Sequence, residues 1–277
     1  MGQVHSVLVR TGADRCAAAA RPAAARLRPY VAGYGAFRTG KTAPDAAENA
    51  AADAAPRRRV LALNLVTLIV DFEGCAPLAF GARDAPEVRE GACWRSGVTV
   101  GLTPAGTRAL LGAPMRTLTG TTAALDGLLG RRADELAERL AAAPGWAARF
   151  SVLDDLLARW LRPVPSPDAA AARGWQRLQK TAGRTRIERL AAELGVSRRR
   201  LESGFQGEVG LSPKTVARVA RFQRAAQVLG ARDGTFAAAA ACGFADQPHL
   251  NREVRAMTGI TPGELRAFLQ YADPLRD

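Results

Sequence analysis

The chain has 277 residues and a mass of 29.3 kDa, enough for one large domain or two modest ones. Its 48% hydrophobic and 23% charged content excludes a mainly disordered chain, a collagen-like repeat and a disulfide scaffold. Lys and Arg number 39 against 26 Asp and Glu, a formal charge of +13 that points to a polyanionic partner.

The positive charge is uneven. From Arg173 onward 18 basic residues face 10 acidic ones, so the C-terminal third is the better anion-binding candidate. The longest apolar run, Val60–Val70, contains Asn64 and Thr67. It is far short of the roughly 20 residues that span a bilayer. Nothing upstream resembles a signal peptide, so a cytoplasmic chain with no membrane partner is expected. Met1–Ser6 fits the loose myristoylation pattern, which six residues satisfy by chance.

The chemistry-bearing residues are sparse. Cys16, Cys75, Cys93 and Cys242 form no C-x-x-C pair, and His5 and His249 are the two histidines. No metal site and no cofactor are expected. Without a secretory signal, Cys75 and Cys93 are expected as buried reduced thiols rather than a disulfide. No phosphate loop, nucleophile elbow or histidine-based triad is present, so enzymatic activity is not expected.

Along the chain, the first 58 residues resist assignment, with Ala-rich stretches around Ala17–Ala25 and Ala43–Ala55. Leu27–Phe37 reads as a short helix or turn leading to a strand. Val60–Phe72 reads as one buried strand, and Leu78–Phe80 and Val98–Leu102 as two more. Thr103-Pro104 then starts a helix that Gly112 closes. Arg131–Ala143 is amphipathic, and Trp146, Phe150, Leu153, Leu157 and Trp160 recur as the core face of another helix. Arg162–Asp168, with three prolines in seven residues, marks a boundary. The expected fold is therefore α+β. A β-rich N-terminal domain with trailing helices spans 1–161, a linker 162–172, and an all-α domain 173–277.

That last domain is internally duplicated. Ala191, Gly195, Leu201 and Phe205, closed by Gly210-Leu-Ser-Pro213, correspond to Ala239, Gly243, Leu250 and Val254, closed by Gly259-Ile-Thr-Pro262. The small residue permits close helix crossing, the glycine a tight turn, and the apolar pair anchors a second helix. This is a helix-turn-helix pattern. It occurs twice, at about 185–210 and 236–259, joined by a helix from Ser212-Pro213 to about Leu229. Thr185-x-x-Glu188 and Thr261-x-x-Glu264 read as capping boxes. In the first unit Gly204 and Gly207 lie inside the second helix, each costing roughly 1 kcal/mol against Ala. In the second, the near-continuous Ala237–Ala241 predicts a weaker core.

With Gly210-Leu-Ser-Pro-Lys214, Ala241-Cys-Gly-Phe-Ala-Asp-Gln247 and Gly259-Ile-Thr-Pro262, the last hundred residues resemble the DNA-binding domain of AraC/XylS-type transcription regulators. Leu27-Arg-Pro-Tyr30, Gly97–Gly112 and Leu136–Phe150 resemble an actinobacterial-type subgroup. The resemblance implies a sequence-specific regulator whose N-terminal domain senses a signal or dimerises. It puts Ser197, Arg198, Arg199 and Arg200 on the first recognition helix, and Gln247, His249 and Asn251 on the second, as base readers. Arginine suits guanine, whereas Gln and Asn suit adenine.

Lys214, Arg218, Arg221 and Arg252 are implied as backbone contacts, with Arg224 also on the connecting helix. Arg198–Arg200 also fit a solvated basic face, His249 a packing role and Asp246 a helix cap. Double-stranded DNA is the expected partner, with RNA polymerase, a small-molecule effector and a second copy of the chain as further ones. The competing functions are a thiol-based redox or alkylation sensor and a protein that coats nucleic acid without sequence preference.

Overall fold

The computed structural model describes residues 6–8, 16–39, 58–89, 94–162, 164, 168–270 and 273–274. Strands β1 (Ser6–Leu8), β2 (Cys16–Arg21), β3 (Val31–Thr39), β4 (Arg58–Val60), β5 (Val66–Asp71), β6 (Leu78–Phe80), β7 (Glu87–Arg89) and β8 (Ser96–Leu102) come first. Helix α1 (Pro104–Leu111), β9 (Thr122–Ala124) and helices α2 (Leu125–Leu129), α3 (Arg131–Ala142) and α4 (Trp146–Trp160) follow. The remainder is helical: α5 (Ala169–Lys180), α6 (Ile187–Glu193), α7 (Arg198–Glu208), α8 (Pro213–Gly230), α9 (Phe236–Ala240), α10 (Gln247–Thr258) and α11 (Pro262–Gln270). A two-residue strand, β10 (Asp273–Pro274), returns to pair with β2. The fold is α+β, with a sheet-rich N-terminal part and an all-helical C-terminal part.

The main sheet has the order β10-β2-β3-β8-β5-β6-β9, and β1-β4-β7 form a small second sheet. Strand β8 is its centre, paired antiparallel to β3 on one side and β5 on the other. The Ala-rich stretch that resists assignment in the sequence is β2. Alanine is a poor strand former, and pairing across all six residues with β3 decides its conformation. The apolar stripe of α4 is core, as expected: Trp146, Phe150, Leu153, Leu157 and Trp160 are buried. Phe150 stacks on Tyr34 of β3 with ring centroids 6.0 Å apart. Beside that stack, Asp154 accepts from the Tyr34 hydroxyl at 2.8 Å and from the Ala24 amide at 3.0 Å.

Three expectations need correction. Val60–Phe72 is not one strand. Its middle, residues 61–65, leaves the sheet and carries Leu61 and Ala62 into a cluster with Val219, Phe222, Leu250, Val254 and Met257. An apolar run buried among helices has the same composition as one buried in a sheet. Cys75 is disulfide-bonded rather than a reduced thiol, and its partner lies outside the residues whose side chains are described. The first of the two capping boxes does not form. Arg186 occupies the N-cap of α6 with no side-chain bond, and the Thr185 hydroxyl donates to Thr181 Oγ1 instead. The second does form, with Glu264 Oε2 accepting from the Thr261 amide and Thr261 Oγ1 from the Glu264 amide.

The hydrophobic core divides in an informative way. One cluster runs from the sheet and α4 into Leu178, Leu190, Leu201 and Phe205 of α5–α7. The second holds α8–α11 together with Leu61 and Ala62. Each half of the helical part thus shares its core with the N-terminal part.

Candidate nucleic-acid interface

Helices α6 and α7 cross through Leu190 and Ala191, both buried, against Leu201 and Phe205. Gly195 makes the turn at φ +67°, a left-handed conformation that other residues adopt at a cost. Ser197 caps α7, its hydroxyl accepting from the Arg200 amide at 3.1 Å. The second unit repeats this construction. Ala239 is buried, Gly243 turns at φ +111°, and Asp246 caps α10 by accepting from the His249 amide at 2.6 Å. Between them α8, capped by Ser212, runs 18 residues, about 27 Å at 1.5 Å per residue.

Gly204 has a structural reason. A Cβ there would lie 2.4 Å from Asp168 Oδ2 and 3.2 Å from the Ala171 Cβ, so the glycine lets α7 pass over the start of α5. Asp168 caps α5 through the Ala171 amide and also accepts from Arg200 Nη1 at 2.6 Å. Gly207 faces open space, and nothing around it requires a glycine.

The second helix of each unit has one buried and one outward face. On α7, Leu201, Gly204, Phe205 and Glu208 point inward, which turns Arg199, Ser203 and Gln206 directly outward, all exposed. Arg198 lies to one side, paired with Glu188 at 3.0 Å and Glu202 at 2.9 Å. Arg200 lies to the other, held by Asp168. On α10, Leu250, Val254 and Met257 point inward, and Pro248, Arg252 and Arg255 outward, with exposed Gln247 and half-buried Asn251 beside them. His249 is turned onto the preceding turn. Its Nδ1 accepts from the Ala245 amide at 3.2 Å, and its ring meets Phe244 edge-on at 5.5 Å.

The connecting helix supplies further cations. Lys214 is exposed in its first turn. Arg218 makes two bonds of 3.1 Å to the Glu253 carboxylate of α10. Arg221 donates from Nη1 to the Gly243 carbonyl at 3.3 Å, and burial lowers its pKa. Arg221 and Arg184 both lie against Gly243, joining the loop before α6 to the second turn. Ser203, Gln206 and Arg255 lie on these outward faces, beyond the consecutive residues at the helix starts. The spacing of Leu201, Phe205, Leu250 and Val254 marks the opposite faces and is the signal that finds them.

Two helix-turn-helix units on one shared helix define the class of DNA-binding domain to which this part of the chain corresponds. A family model described as a helix-turn-helix domain matches residues 190–267. A probable AraC family transcriptional regulator from Rhodopseudomonas palustris CGA009 is 35% identical over 39% of this chain and 100% of its own, with a TM-score of 0.34. A transcriptional regulator from Chromobacterium violaceum, of the AraC-type DNA-binding class, is 30% identical over 38% of this chain and 95% of its own, with a TM-score of 0.35. Comparison with curated proteins finds no match. The chain belongs to the AraC family of transcriptional regulators. No helix among the described residues is long and apolar enough to cross a membrane.

Proposed function

We propose that the chain regulates transcription by sequence-specific binding to double-stranded DNA, with α7 and α10 entering adjacent major grooves. The observation that carries this reading is the pair of capped helices on one rigid α8, each presenting a basic outward face. Arg199, Ser203 and Gln206 on α7, and Gln247, Asn251, Arg252 and Arg255 on α10, are the base-reading set. Arg198 contacts the DNA backbone when phosphates replace its two carboxylate partners. Ser197 and Arg200 serve the helix start, and His249 braces the second turn. Lys214, Arg218 and Arg221 position the chain against the backbone. Residues 1–161 receive a small-molecule signal or dimerise, and RNA polymerase is the partner through which regulation is exerted.

The test is selection from a random DNA pool with the full chain and with Arg199→Ala. One enriched motif, relaxed in the variant at adjacent base pairs, is expected. Equal retention of all sequences would reduce the chain to a charged nucleic-acid coat.

A second reading, a thiol-based sensor, is favoured by the disulfide at Cys75, which packs against the small core cluster that holds Ile69, Phe80 and Trp94. It predicts that reductant changes affinity for the selected site and that Cys75→Ser abolishes the change. The same affinity with and without reductant would dispose of it.

A further inference from the structure

The N-terminal part grips both recognition helices by the ends remote from their caps. At the end of α7, Arg108 Nη2 binds both carboxylate oxygens of Glu208, at 2.9 and 3.0 Å. Thr119 Oγ1 donates to the Val209 carbonyl at 2.6 Å, and a Cβ on Gly210 would collide with Thr119. At the end of α10, the Ala62 amide donates to the Met257 carbonyl at 3.1 Å, and Arg59 lies over Gly259. Between these anchors the same segment holds the connecting helix. Gln223 Nε2 donates to the Ala62 carbonyl at 2.7 Å, and Asn64 Nδ2 to the Val216 carbonyl at 2.9 Å. Gln223 is 3% exposed, and Leu61, Ala62 and Asn64 are fully buried.

We infer that Ala62, Asn64, Arg108 and Thr119 are positioning residues for DNA reading. They fix the distance and angle between α7 and α10, and hence the separation of the two DNA blocks that the chain accepts. The inference rests on the DNA-reading proposal above. Two features make the N-terminal part suited to the task. The helical part has two cores, which α8 enters through Val216 and Ala217 on one side and Val219, Phe222 and Leu229 on the other, and the N-terminal part enters both as well. Helix α9 is five residues long with Ala239 as its buried member, so the second unit draws on Leu61 and Ala62 to complete its interior. Any change in the sheet then reaches both recognition helices through two anchors at once.

The experiment measures binding of the full chain to the selected site and to versions with one or two base pairs inserted or deleted between its two blocks. The wild type is expected to lose about tenfold or more for each altered spacing, because both helices dock at fixed separation. Asn64→Ala and Arg108→Ala are expected to lose only about threefold, keeping single-base specificity within each block. The paired exchange Arg108→Glu with Glu208→Arg restores the wild-type spacing profile, which a merely destabilising change would not. If Arg108→Ala does not fold, Asn64→Ala and the paired exchange carry the test. Wild-type spacing profiles in both Asn64→Ala and Arg108→Ala, or in Asn64→Ala where Arg108→Ala does not fold, would overturn the inference. A wild type that selects no sequence would overturn the DNA-reading proposal itself, and this inference with it.

Discussion

Arg108 and Glu208 lie a hundred residues apart and form a two-pronged ion pair with side chains 17% and 9% exposed. It ties the helix that follows the sheet to the last turn of a recognition helix. Taking two charges from water is costly, and the geometry offsets that cost only while both partners are present. Arg108→Ala leaves Glu208 buried and uncompensated. We expect a loss of about 3 kcal/mol in urea unfolding, at the lower end for breaking a buried pair. A loss under about 0.5 kcal/mol, the level of an exposed pair, would contradict it.

Gly204 and Gly207 should respond in opposite directions to alanine. Alanine favours helix over glycine by roughly 1 kcal/mol. At Gly207 the added methyl meets nothing within 4 Å, so Gly207→Ala should raise the melting temperature. At Gly204 the methyl would enter the space of the Asp168 carboxylate, which caps α5 and holds Arg200, so Gly204→Ala should lower it. Calorimetry on the two variants checks the pair, and shifts of the same sign would refute it.

Leu61 tests the shared core. Fully buried among residues of α8 and α10, it should cost about 2–5 kcal/mol on truncation to Ala. The loss should appear as weaker hydrogen-exchange protection of α10 and α11 as well as of the sheet. Protection lost in the sheet alone would separate the two parts.

These cases show what the sequence makes legible. Helices announced by side-chain chemistry were readable: Thr103-Pro104 caps α1 as expected, and Ser197, Ser212 and Asp246 cap α7, α8 and α10. The duplicated Ala-Gly-Leu spacing gave both helix-turn-helix units because their contacts are local. Residues 61–65 were not readable, since burial against a sheet and against a helix from far along the chain both select apolar residues. Asn64, an amide inside that run, was the sign that something other than a strand ladder receives it. The disulfide at Cys75 is not legible in the sequence, because pairing depends on which cysteines the fold brings together.

Tyr34 gives the expected pH dependence. Burial, then its bond to Asp154, raises the phenol pKa well above its ordinary value of 10.0. A group whose folded pKa is raised contributes stability fully below the unfolded pKa and loses it as pH climbs. Stability should therefore decline progressively above pH 10. Tyr34→Phe should cost about 1–2 kcal/mol at neutral pH by removing one of the donors to Asp154, and should flatten the alkaline decline. An unchanged alkaline limb in the variant would assign that limb elsewhere.

The most direct measurement is a guanine methylation-interference footprint of the full chain on its selected site. The account predicts two clusters of interfering positions on one face of the duplex, about 10 base pairs apart, as two recognition helices in successive major grooves require. Arg199→Ala should erase positions in one cluster and Arg252→Ala in the other. A single cluster, or interference spread evenly along the duplex, would contradict the claim that both helices read DNA.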